Sequence, residues 1–202
     1  MENYKLIMDE EALKSFINWL PDLLPNEMYF VSLLARRKYN IEGSISNLKA
    51  DKNQLKRVTC TKDRIIEKIR QMECAYGSYL NNGVPIQQEN LVVYISPNPR
   101  DCYKAAGELS KKLTDKIINI QKDFNPQSLA LNCIQTSCTR NFFYDLDIDL
   151  NGKVNKTKEE LLEIIKLDLS NIINFDCLHI IETIGGFHIL IEFDKIKKKY
   201  KN

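Results

Sequence analysis

The chain has 202 residues, 44% of them apolar and 28% charged, with a formal net charge of +2. A soluble globular chain of this length buries roughly 70% of its unfolded surface and folds without disulfide or metal staples. The small net charge does not by itself indicate a nucleic-acid binder. No apolar run approaches the ~20 residues of a bilayer span, which argues against membrane association. No signal peptide opens the chain, and the expected location is cytoplasmic.

The elements follow in chain order. Glu10 to Leu20 carries Leu13, Phe16, Ile17 and Leu20 at helical spacing and stops at Pro21. Met28–Leu34 reads as a strand and 40–60 as a long polar excursion. A helix opens at Thr61 or Lys62, with Ile65, Ile66, Ile69 and Met72 on one face, and is expected to end near Gly77. Leu91 to Ser96 reads as a buried strand, broken by Pro97-Asn98-Pro99-Arg100. A long helix is expected from Asp101 to Lys122, with Ala106, Leu109, Leu113, Ile117 and Ile120 facing the core, and a shorter one over 126–137. A strand at Asn141–Leu150, a helix at Thr157–Leu169 and strands at Leu178–Thr183 and Phe187–Phe193 complete the series. Thr157 and Glu160 fit a capping box.

This order predicts an α+β fold, with helices packed against one mostly antiparallel sheet. A single compact domain is expected. Within it, residues 1–90 form an N-terminal region without an assignable motif, and 91–202 form the core. Ile184-Gly185-Gly186 is short enough to close a hairpin between the last two strands. The six cysteines, at 60, 74, 102, 133, 138 and 177, form no CxxC pair, and only two histidines accompany them. Neither a structural zinc site nor a disulfide framework is expected, and Cys133 and Cys138 read as small buried hydrophobes.

Three basic stretches stand out: Arg36-Arg37-Lys38; Lys56, Arg57, Lys62, Arg64, Lys68 and Arg70; and five lysines between Lys195 and Asn202. Each suits either phosphate contact or a solvated face.

The most informative stretch is Asn141-Phe-Phe-Tyr-Asp-Leu-Asp-Ile-Asp-Leu150. Strand alternation puts Asp145, Asp147 and Asp149 on one face and Tyr144, Leu146, Ile148 and Leu150 on the other. Aspartates disfavour strands and repel one another on one face, a cost that a divalent cation offsets. Oxygen ligands select Mg²⁺ or Mn²⁺, and such ions suit phosphoryl transfer. A competing reading takes the acids as the guard of an edge strand. Asp147-x-Asp149-x-Asn151-Gly152 also matches the start of a calcium loop, although Lys158 occupies the position that needs glutamate.

The second constellation is Thr183-Ile-Gly185-Gly186-Phe-His188-Ile-Leu-Ile-Glu192. The two glycines let backbone N–H groups approach a phosphate, and His188 can donate to one. Glu192 shares the strand face of His188. His179 reads as core or rim.

Together, Asp145-Leu146-Asp147 and the turn from Thr183 or Gly186 to His188 resemble the two motifs of the archaeo-eukaryotic primase superfamily, the primase-polymerases. Tyr94-Ile-Ser-Pro-Asn-Pro-Arg100 is similar to a strand-end Asn-Pro element of plasmid and phage members. The resemblance spans about 90–194. It implies an RRM-like primase palm and metal-dependent nucleotidyl transfer in DNA replication. Mg²⁺ or Mn²⁺ would sit on Asp145 and Asp147, and His188, with Gly185, Gly186 and Arg100, would hold the nucleotide. The family's third acid lies on a later strand; Glu192 is the stand-in here. The implied partners are nucleic acid, nucleoside triphosphates and a replication protein. The alternatives are an inactive palm-like binding module, a phage or mobile-element interaction protein, and a metal-dependent nuclease.

Overall fold

The computed structural model describes residues 2–37, 52–120, 124–149, 157–171, 173, 178–183 and 186–196. The fold is mixed α+β with antiparallel sheets, and five α-helices lie among the described residues. The chain divides into two compact units, Met1–Arg140 and Asn141–Asn202. The strand at the start of the region 91–202, Leu91–Ile95, pairs inside the first unit. Pairing with a strand sixty residues earlier is a long-range contact that composition does not reveal.

In the first unit, α1 (Glu10–Trp19) starts where the Asp9 carboxylate accepts a hydrogen bond from Ala12 N, and it buries Phe16 and Ile17. β1 (Glu27–Arg36) is the central strand of the order β2-β1-β5. β2 (Lys52–Cys60) pairs with one edge of β1 and β5 (Leu91–Ile95) with the other, both antiparallel. The second half of the expected polar excursion is thus a strand. It carries few apolar residues because β2 is a sheet edge with a solvated face, and 38–51 lie outside the described residues. Central position also explains why β1 is buried almost throughout, whereas β5 is half-buried rather than fully buried.

A 3₁₀ turn leads into α2 (Ile65–Arg70), which ends well short of Gly77 and buries Ile65 and Ile69. Two short strands, β3 (Leu80–Asn81) and β4 (Val84–Pro85), pair with each other. After Pro99, β6 (Arg100–Asp101) pairs with Met28 and Glu27 at the start of β1. Asp101 then caps α3 (Cys102–Ile118), and Asn125 caps α4 (Pro126–Gln135). The core face of α3 is shifted from expectation. Ala105 is buried in place of Ala106, while Ile117 and Ile120 are 70% and 76% exposed. A periodic apolar stripe reports only that a helix has such a face, not how far along its length a partner extends.

In the second unit, β7 (Phe143–Asp149), α5 (Lys158–Ser170), β8 (Leu178–Thr183) and β9 (Gly186–Glu192) follow in a β-α-β-β order. The strand order is β7-β9-β8, antiparallel throughout, so the last two strands form the expected hairpin. The capping box at Thr157 and Glu160 is present. One sheet face packs Phe187, Ile189 and Ile191 against Leu162, Ile165 and Leu169 of α5. Each such buried side chain contributes roughly 1.5–3 kcal/mol. Because β7 is an edge strand, Tyr144 and Leu146 are 61% and 38% exposed, although Phe143 is buried as its aromatic neighbourhood suggests.

Among the described residues, no helix is long and apolar enough to cross a membrane.

Candidate functional site

The face of the second sheet turned away from α5 carries Asp145, Asp147, Asp149, His188 and Glu192 beside the buried Phe143 and Leu190. Directly opposed residues in an antiparallel pair share a face. Asp147 opposes His188, Asp145 opposes Leu190, Asp149 opposes Gly186, and Phe143 opposes Glu192. The apolar alternates of β7 and β9 turn toward α5. Hydrophobic burial on one side thereby fixes the register that brings carboxylates and imidazole together on the other.

His188 sits between the first two acids. Its Nδ1 is 3.1 Å from Asp145 Oδ1, within hydrogen-bonding distance, and its Nε2 is 3.6 Å from Asp147 Oδ1. The imidazole is the most sheltered of the three, at 22% side-chain exposure against 46% for Asp145 and 60% for Asp147. The carboxylates thus keep oxygens open to solvent while the histidine is held at the sheet surface. Burial in its strand lowers the pKa of the other histidine, His179.

The other expected site residues divide. Gly186 opposes Asp149, and its position admits no side chain, because an added Cβ would lie 1.8 Å from Ile148 O. Gly185 lies outside the described residues, as do Asn151 and Gly152 of the calcium-loop reading. Lys158 of that reading is tied to Glu182 and to the Thr183 carbonyl, both at 2.8 Å. Glu192 lies two rungs along β9 from His188, about 13 Å away at strand rise, so it shares the face without joining the cluster. Arg100 belongs to the first unit, where β6 pairs with β1.

The donor set can be tested against a metal. Among the described residues, no three or more His, Cys, Asp or Glu side chains are grouped so as to hold one ion. Mg²⁺, however, keeps several waters and is commonly bound by one or two carboxylates together with substrate phosphates. Two half-exposed carboxylates two residues apart fit that mode, and they do not fit a closed all-protein cage.

The basic stretches are sorted by the structure. Lys62 donates to the Asn18 and Leu20 carbonyls and pairs with Asp22. Arg64 pairs with Glu67, and Arg70 with Glu10 and Glu73. These residues stitch the first unit together rather than forming an open patch. Lys38 and residues 197–202 of the lysine-rich end lie outside the described residues.

Sequence reasoning assigned Asp145 and His188 to separate tasks and missed their direct contact. It also missed Glu27, a buried acid whose partner Arg140 lies 113 residues away. A glutamate opening an otherwise apolar strand was the available signal. Comparison with protein-family models, with curated proteins and with solved structures finds no match to this chain.

Proposed function

We propose that the chain is a metal-dependent nucleotidyltransferase of primase-polymerase type that acts on nucleic acid, with the second unit as its palm-like core. The observation that supports this most is the cross-strand cluster of Asp145, Asp147 and His188 on the face of the sheet turned away from α5. Asp145 and Asp147 would hold Mg²⁺ or Mn²⁺, which supplies charge stabilisation for phosphoryl transfer. His188 would orient a triphosphate oxygen by hydrogen bonding, and its own orientation is set by Asp145.

The separation of Glu192 from this cluster favours one second reading, a palm-like module that binds nucleotide without turnover. A primer–template extension gel with Mg²⁺ or Mn²⁺ separates the two. Extension by the parent, reduced by about 100-fold or more in Asp145→Asn/Asp147→Asn with folding retained, supports the transferase. Unchanged primer alongside metal-dependent nucleotide binding supports the module, and a shortened primer points to nuclease chemistry.

A further inference from the structure

We propose that the outer side of β8 and the flank of α5 above it form the interface of a symmetric dimer, in which the β8 strands of two copies pair antiparallel. β8 pairs with β9 on one side, and among the described residues no strand pairs with its other side. Strand alternation turns Leu178 and Ile180 toward α5, where they line a groove with Glu163, Ile164, Lys166 and Leu167. Leu167 is 69% exposed and Ile164 38%. All of these residues belong to the second unit.

The two edges of this sheet are not alike. β7 carries Asp145, Asp147 and Asp149, charges that oppose pairing with a further strand. β8 reads Leu-His-Ile-Ile-Glu-Thr, without proline or lysine, and its one carboxylate, Glu182, is bound by Lys158 at 2.8 Å. An edge of that composition beside an apolar helix flank is a template for another strand.

The groove has two layers, a strand edge below and a helix flank above. A lone extended peptide added to β8 supplies no helix layer and leaves Leu167 exposed. A second copy of the chain supplies both layers in the same relation. Opposed residues share a face, so α5 stays on one side of the joined sheet when residues of equal parity pair. A two-fold axis at Ile180 does this and sets Ile180 against its own counterpart. Three strand spacings, about 14 Å, then separate the β9 strands that the two helices cover. A helix is about 10–12 Å across with its side chains, so the exposed flanks of the two α5 helices face each other over the seam. Glu163 and Lys166 add charge complementarity. They lie one turn apart with opposite sign, 2.8 Å from each other, and a two-fold reverses their order, turning each toward its opposite in the partner. A flank that is self-complementary in charge fits a copy of itself.

The cluster of Asp145, Asp147 and His188 lies on the other face of the sheet, so the dimer is independent of the chemistry proposed for it. Both clusters would occupy one face of a six-stranded sheet, with about 24 Å from β7 to the partner's β7.

The test is sedimentation equilibrium of the full chain over about 1–200 µM, where a monomer–dimer equilibrium in the micromolar range is expected, because a seam one strand long is at the small end of stable interfaces. Leu167→Glu changes a position that the monomer leaves exposed, so it should keep the circular dichroism spectrum and weaken the dimer about 10-fold or more. Glu163→Lys should weaken it about 5-fold, and Glu163→Lys/Lys166→Glu should restore it. Ile117→Glu, at a 70% exposed position on α3 of the first unit, should change nothing. Hydrogen exchange of β8 amides should slow as the parent dimerises, and it should not slow in Leu167→Glu. The proposal is overturned by a dimer that Leu167→Glu leaves intact, by an equal loss in Ile117→Glu, by a charge exchange that fails to restore affinity, or by β8 exchange that does not follow concentration. A parent that stays monomeric also overturns it, and would leave the β8 edge to a strand of another protein.

Discussion

Arg140 grips Glu27 in a two-pronged charge-assisted contact, Nε to Oε1 at 2.7 Å and Nη2 to Oε2, although the two residues are 113 positions apart. The Glu27 side chain is 1% exposed, and it also accepts a hydrogen bond from Leu24 N at 2.9 Å. Arg140 donates further to the Asp22 carbonyl at 2.9 Å. The pair thereby ties the last residue of the first unit to the entrance of its central strand.

Removing one partner leaves a buried charge uncompensated. Arg140→Met is expected to cost about 3 kcal/mol, read as a lowered urea midpoint, and Glu27→Gln/Arg140→Met should recover part of that loss. The Arg140 guanidinium holds the Glu27 carboxyl below its ordinary range. The stabilisation is therefore complete above the ordinary glutamate range and disappears as pH falls through the lower folded value, because the unfolded chain takes up a proton first. Glu27→Gln should flatten that acid limb of the stability profile; an unchanged limb would remove Glu27 as its source.

Gly186 starts β9 at a φ of +156°, directly against the β7 backbone. An added methyl would push into Ile148 O, so Gly186→Ala should destabilise the second unit by about 2 kcal/mol. Hydrogen exchange should show that loss in β7 and β9 amides, with the first unit unaffected. Parent-like protection in β7 would contradict the close approach.

Thr157 and Glu160 satisfy each other's backbone N–H groups at the start of α5. Thr157→Ala is expected to cost about 1 kcal/mol, while Thr157→Ser should cost much less. Chemical denaturation of the two variants side by side measures the cap, and equal losses would place the effect in packing instead.

Burial lowers the pKa of His179. Its contribution to stability is complete above the ordinary imidazole value and declines as pH falls from there toward the lower folded value, since the unfolded state protonates first. His179→Gln should therefore narrow the stability difference between pH 7.5 and about pH 5.5. Denaturation midpoints at the two pH values decide this, and an unaltered difference would exclude His179.

Local chemistry made several features readable from sequence alone. The α1 stop at Pro21, the Thr157 cap, the alternation of Asp145, Asp147 and Asp149, and the turn before His188 all depend on residues within a few positions of one another. The α+β class follows from the same short-range periodicities. Other features required the tertiary structure. The edge position of β7 exposes Tyr144, and the register of β7 on β9 places Asp147 opposite His188. The pairing of β5 with β1 places β5 inside the first compact unit. Long-range folding also decides what some arginines meet: Arg64 pairs with Glu67 a helical turn away, a local contact, whereas Arg140 reaches Glu27 and Arg57 reaches Asn132 of an uncharged helix only through the tertiary structure. Spacing fixes the faces of single elements, whereas burial of distant apolar partners decides which faces meet, and hence which charges are compensated and which remain available to a ligand.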